Sequence, residues 1–159
     1  KDFLRKAFTI IFIASLVIWF LQSLDWKLNL VEDSANSILA SIGSAIAPIF
    51  TPLGFGDWRA STALITGLTA KESVVSTLAI LTGASSDAQL GGILQTMFTP
   101  LSAFSFLAFT ILYMPCVAAF AASRRELGSW KAAAGTALYQ TGAAYVVSLL
   151  IFQVGRLFL

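Results

Sequence analysis

An all-α, polytopic bundle of transmembrane helices is the fold class this sequence predicts, with four to five membrane segments, one of them re-entrant or broken. Three observations carry that expectation. Of 159 residues, 57% are hydrophobic and only 11% are charged, less than half the share of about a quarter typical of soluble domains. Mean hydropathy is +0.83. The charges are also clustered, and several of the uncharged gaps between them are long enough to cross a bilayer. A soluble globular domain and a disordered chain are both excluded. The 10 basic and 8 acidic residues give a net charge of +2 with no basic block, so the chain carries no nucleic-acid footprint. Histidine, the commonest metal ligand and acid–base group, is absent. A single cysteine cannot form an internal disulfide.

The elements follow in chain order. Residues 7–24 carry no charge and, at 1.5 Å per residue, just cross a hydrocarbon core about 30 Å thick. Lys1, Arg5 and Lys6 precede this run, and Asp25, Glu32 and Asp33 follow it with Lys27. The positive-inside rule therefore puts the N-terminal flank in the cytoplasm. A signal peptide begins in the same way, but no small-residue cleavage site follows. Residues 34–50 are rich in Ser, Ala and Gly and end near Pro48 and Pro52; small residues four apart suit close helix contact. Residues 58–81 form a long apolar segment interrupted by Lys71 and Glu72. In 88–98, Leu90, Ile93, Leu94 and Met97 follow helical spacing, which predicts a short helix at the membrane interface. Residues 101–122 and 132–155 are uncharged and long enough to span, and Arg124, Arg125 and Lys131 between them mark a cytoplasmic loop. Two topologies fit: 34–50 and 58–81 both cross, or they form a re-entrant hairpin.

A short internal echo links two stretches. Residues 43–50 lead into Thr51-Pro52-Leu53, and residues 91–98 lead into Thr99-Pro100-Leu101. Each feeds a segment with something unusual in its middle, and transporters often show weak repeats whose interrupted segments meet at the midplane.

Those two interruptions carry the chemistry. A charge at bilayer depth costs several kcal/mol, so Lys71 and Glu72 need partners or a polar cavity. Successive residues on a helix point about 100° apart, so the two cannot pair side by side, and either each finds a partner elsewhere or the helix breaks. Thr62, Thr66, Thr69, Ser73 and Ser76 recur at spacings of four and three, which draws one polar stripe beside Glu72. The stripe reads as the wall of a wet cation pathway, or as hydroxyl glue between helices. The second interruption is Tyr113-Met114-Pro115-Cys116. A proline here removes a helical hydrogen bond and frees the Ile111 carbonyl, which is tolerated at depth where it lines a cavity. Cys116 offers a thiol that becomes a strong ligand once deprotonated by a metal, with Met114 and Tyr113 beside it. Thiolate, carboxylate and carbonyl together suit a borderline divalent ion. Candidate metal contacts are thus Cys116, Glu72, Met114 and Ile111. Candidate pathway or gating residues are Lys71, Pro115, Tyr113, Thr69, Ser73 and Ser76. Gly135, Tyr139 and Gly142 form a packing face on the last segment. No phosphate loop, zinc spacing or nucleophile elbow occurs, so no enzyme is expected and no catalytic residue is assigned.

The blocks Gly-Leu-Thr-Ala-Lys-Glu-Ser-Val-Val-Ser-Thr-Leu (67–78), Phe-Thr-Pro-Leu-Ser-Ala-Phe-Ser (98–105) and Leu-Tyr-Met-Pro-Cys-Val-Ala-Ala (112–119) closely resemble the bacterial ferrous iron transport protein B family. The resemblance covers essentially the whole chain. It implies that 1–84 is the second of that family's gate (nucleoside-recognition-like) regions and 85–159 its closing membrane helices. It further implies Fe²⁺ uptake across the bacterial cytoplasmic membrane, with Cys116 matching the family's iron-contacting cysteine. GTP is expected to act through an N-terminal G domain that lies, with a first gate region, outside this C-terminal piece of a longer chain. No cofactor is expected in this segment. Expected partners are Fe²⁺, the lipid bilayer, those two parent-chain regions, a small SH3-like accessory protein and, left open, further copies of the chain; nucleic acid is not among them. Two other classes stay open: a transporter of small organic solutes or nucleosides, and a non-transporting structural membrane module.

Overall fold

The computed structural model describes residues 2–27, 29–31, 34–114 and 116–158, with backbone alone for 2–7, 10 and 11. Lys1, Glu32, Asp33 and Pro115 lie outside the described residues. Helix α1 (Asp2–Ser23) covers the first predicted span. Beyond it, Leu24 and Leu30 form an isolated antiparallel bridge, and Ile38 N–H donates to the Leu24 carbonyl at 2.9 Å. Ser37 then caps α2 (Ile38–Phe50), accepting a hydrogen bond from Ala40 N–H in the manner typical of N-cap serines. A 3₁₀ turn at Thr51–Leu53 ends at Gly54, whose φ of 88° is open to glycine at little cost. Its missing side chain leaves room for the Phe152 ring.

Of the two alternatives open at Lys71 and Glu72, the helix breaks. The 58–81 segment is two helices, α3 (Trp58–Gly67), capped by Asp57, and α4 (Ser73–Thr82). The break at 68–72 holds Lys71 and Glu72, so a charged pair that one helix cannot accommodate ends the helix instead. The chain folds back there, bringing Thr66 and Thr77 hydroxyls within 2.8 Å. Helix α5 (Asp87–Met97) is N-capped by Ser86, and its Leu90, Leu94 and Met97 pack on the core, so the predicted apolar spacing faces protein. The 101–122 segment is likewise divided, into α6 (Pro100–Leu112) and α7 (Val117–Leu127). Arg124 and Arg125 belong to the last turn of α7, where their charge complements the helix dipole, and only 128–129 separate it from α8 (Trp130–Phe158). The Arg124 guanidinium lies 3.8 Å from the centre of the Trp130 ring.

The result is an all-α membrane helix bundle. Among the described residues two helical stretches are long and apolar enough to cross, Pro100–Leu127 and Trp130–Phe158, and Ile38–Leu53 with Trp58–Gly67 qualifies as one bent pair, a broken span or re-entrant loop turning through 103°. Helix α6 packs along α8, and α2 along α3. A line of rings runs through the interior. Phe98 meets Phe106 at 5.2 Å, Phe106 meets Phe55 at 5.2 Å, and Phe55 meets Phe50 at 5.4 Å. Phe50 then meets Phe109 at 5.3 Å, and Phe109 stacks on Tyr113 at 5.5 Å. The sequence echo has a structural counterpart: Phe50-Thr51-Pro52-Leu53 and Phe98-Thr99-Pro100-Leu101 each join a short helix to a helix–break–helix unit.

Candidate functional site

The two helix breaks face each other. Val117 N–H, at the start of α7, donates to the Leu68 carbonyl at the end of α3, at 2.8 Å. Lys71 Nζ donates to the Ile111 carbonyl at 2.9 Å and to the Tyr113 carbonyl at 3.4 Å, and it lies 5.0 Å from the centre of the Tyr113 ring. Tyr113 OH donates to the Leu64 carbonyl at 3.3 Å. Each exposed helix terminus is thereby met by its opposite. A helix leaves donors unpaired at its start and acceptors at its end, with partial charges to match; α7 offers a donor to α3, and Lys71 neutralises the end of α6. Gly67 makes the approach possible, since a Cβ there would sit 2.6 Å from the Tyr113 hydroxyl. With 13 residues in α6 and 11 in α7, roughly 20 Å and 16 Å of helix flank the second break.

The sequence-derived candidates distribute as follows. The Ile111 carbonyl, expected to be left free, is held by Lys71, while the Ile111 side chain is 72% exposed. Cys116 is a half-buried free thiol at the N-cap of α7, one residue from the contact with Leu68. Met114 packs against the ring cluster. Glu72 is exposed at the N-cap of α4 and makes no side-chain capping bond; its charge still favours a helix start. Pro115 itself lies outside the described residues. Among the described residues, no three His, Cys, Asp or Glu side chains cluster, so the donors do not form a closed cage.

The hydroxyl stripe is shorter than the sequence spacing implies, and better defined. Thr62 leaves it: its hydroxyl donates to the Trp58 carbonyl at 2.8 Å and fills the space over Gly43. Thr66, Thr69, Ser73 and Ser76 instead line a pocket of about 220 Å³, joined by Thr77 and, from α1, by Ser15 and Gln22. Sequence reasoning missed the α1 contribution, although Gln22 is a polar residue inside the uncharged 7–24 run. On the other side of the same break, Lys71 borders an apolar cavity of about 680 Å³ between α4, α5 and α6. Residues 68–72 therefore separate a small hydroxyl-lined space from a large apolar one.

The model for the "Gate: Nucleoside recognition" family matches residues 4–130. The chain belongs to the Gate family. The Gate match runs through both breaks and past residue 84. Over nearly its full length the chain is also similar to proteins named Fe(2+) transporter FeoB. It is 42% identical over 158 residues to that of Staphylococcus aureus strain MSSA476, covering 99% of this chain and 24% of the relative. Identity is 41% over 163 residues to the Methanocaldococcus jannaschii protein, covering 98% and 24%. A Porphyromonas gingivalis relative, named as a fusion of Fe(2+) transport protein A with FeoB, is 33% identical over 205 residues, covering 99% and 24%. The chain thus spans about a quarter of the length of these relatives. No solved structure matches it.

Proposed function

We propose that this chain forms the membrane permease portion of a ferrous iron transporter, moving Fe²⁺ across a bacterial cytoplasmic membrane. The observation that carries the reading is the meeting of two helix breaks, with Val117 N–H bonded to the Leu68 carbonyl and Lys71 to that of Ile111, in a chain 42% identical to a protein named Fe(2+) transporter FeoB. Broken helices that expose backbone groups at depth are how transporters build ion sites. In this reading Fe²⁺ sheds part of its water along Thr69, Ser73 and Ser76 and passes the carboxylate of Glu72. It then meets the Cys116 thiolate, with the Met114 thioether and Ile111 carbonyl nearby. Tyr113 and Pro115 serve as gating residues of this path. An open donor set suits cargo: binding has to be strong enough for entry and weak enough for release.

The remaining roles fall outside these residues. GTP is used by a separate G domain of the intact protein, so this segment binds no cofactor and performs no catalysis. Residues 1–84 act as the gate and 85–159 as the closing helices. A small accessory protein assists, a role in keeping with the name of the Porphyromonas gingivalis fusion.

The test is anaerobic uptake of radiolabelled Fe²⁺ by cells carrying the intact protein, comparing wild type with Cys116→Ser at equal membrane abundance. Uptake falls to background if the thiol is on the path; unchanged uptake returns Cys116 to packing. A second reading, transport of a small neutral solute such as a nucleoside, is favoured by the uncharged hydroxyls of the 220 Å³ pocket. Competition of uptake by nucleosides, with none by divalent metals, selects it.

A further inference from the structure

We infer that the Lys71 ammonium is a tethered cation that occupies the helix-end site at the second break, and that the transported ion must displace it. This deepens the proposed transport reading and rests on it. The contacts of Lys71 Nζ are those of a bound cation: the Ile111 carbonyl at 2.9 Å, the Tyr113 carbonyl at 3.4 Å and the face of the Tyr113 ring with its centre 5.0 Å away. Among the described residues no carboxylate pairs with it, and the contacts that hold the charge are backbone dipole and ring quadrupole. An incoming cation competes for the same acceptors on equal terms.

The structure also provides a place for the displaced amine. Lys71 borders the 680 Å³ cavity between α4, α5 and α6, whose lining is otherwise apolar except for Gln95 and Thr110. Gln95 is exposed on α5 and carries an amide oxygen able to accept from an ammonium. The Thr110 hydroxyl donates to the Phe106 carbonyl at 2.8 Å, which leaves its oxygen lone pairs as acceptors. The inference gives Lys71 a second position beside the docked one that the structure shows. Docked on α6, it closes the break to cations; withdrawn toward Gln95 and Thr110, it leaves the Ile111 and Tyr113 carbonyls to the ion. Gating of this kind needs only one long side chain to move while the contact between Val117 and Leu68 is kept.

The experiment measures Fe²⁺ entry into anaerobic liposomes containing the intact protein, without nucleotide, for wild type, Lys71→Met and Gln95→Leu. Lys71→Met keeps side-chain length and removes the competing charge, so the initial rate is expected to rise about tenfold, as removal of an occluded state raises the competent fraction. Gln95→Leu removes the acceptor of the withdrawn state alone, and entry is expected to fall about threefold. If Lys71 only caps α6, Lys71→Met lowers entry or fails to fold and Gln95→Leu changes nothing; that pair of results overturns the inference. Gln95 lies on the exposed surface of α5, so its result stands even if Lys71→Met does not fold. Wild-type liposomes that admit no Fe²⁺, with or without GTP, refute the transport reading itself, and this inference falls with it.

Discussion

At the scale of single residues, the site is defined by which polar groups are already engaged. Lys71 has three partners, whereas Glu72, its neighbour in sequence, is exposed at the start of α4 without a capping bond. A carboxylate in that position serves entry better than tight binding. Glu72→Gln is accordingly expected to lower Fe²⁺ uptake at limiting iron about tenfold while leaving uptake at saturating iron largely unchanged, the signature of a lost interaction in binding alone. Concentration dependence of anaerobic uptake checks this; an equal loss at all concentrations places Glu72 in the rate-limiting step. Both charges stand out in the sequence as interruptions of an apolar segment, where a charge needs a partner or a polar cavity. Their separate roles are not legible there, since partner choice depends on the fold-back at 68–72. Ile111 shows the same limit: the freed carbonyl followed from Pro115, but the ammonium that holds it comes from 40 residues away.

At the scale of elements, the two breaks depend on close packing behind them. Thr66 and Thr77 are both buried and share a hydrogen bond across α3 and α4 at 2.8 Å. A double-mutant cycle with Thr66→Val and Thr77→Val is expected to give a coupling of about 0.6–1.7 kcal/mol, the range for interhelical hydrogen bonds in membranes, in unfolding from detergent or bicelles. A coupling of zero separates the two helices. Gly67→Ala places a methyl group against the Tyr113 hydroxyl and Val74, and the overpacking is expected to cost about 1–3 kcal/mol, read as a lower thermal midpoint. An apolar count along the chain predicted helical segments correctly at 7–24, 88–98 and 132–155, where period and charge pattern agree. It ran through the break between α6 and α7 because the two continue as one apolar stretch, Pro100–Leu127, and it joined α3 to α4 because hydropathy does not register a fold-back between two apolar helices. The hydroxyl spacing of 62–76 was read on one continuous helix for the same reason; the pocket survives because the break folds Thr77 and α1 against the residues that remain.

Across the whole molecule, one core ties both copies of the helix–break–helix unit together. The ring line from Phe98 through Phe106, Phe55, Phe50 and Phe109 ends on Tyr113, so the interior delivers its last ring to the face that Lys71 occupies. Phe55, with 2% of its surface exposed, is the centre of that line, and Phe55→Ala is expected to destabilise the bundle by about 3 kcal/mol or more. We propose an orientation from charge: Arg124, Arg125 and Lys131 flank the α7–α8 turn, which the positive-inside rule would place in the cytoplasm. Ser129→Cys in a Cys116→Ser background should react with a membrane-impermeant maleimide only after cells are permeabilised. The paired breaks were foreshadowed by the Thr-Pro-Leu echo, yet that they touch is a property of the folded chain.

If ions pass between the facing breaks, a covalent link across them stops transport. The most direct measurement replaces Leu68 with cysteine, next to native Cys116, and oxidises the pair in membranes carrying the intact protein. After the oxidant is removed, anaerobic Fe²⁺ uptake is followed before and after reduction. An intramolecular disulfide between Leu68→Cys and Cys116 is expected to stop uptake, and its reduction to restore uptake. A disulfide that forms and leaves uptake untouched would contradict passage between the breaks.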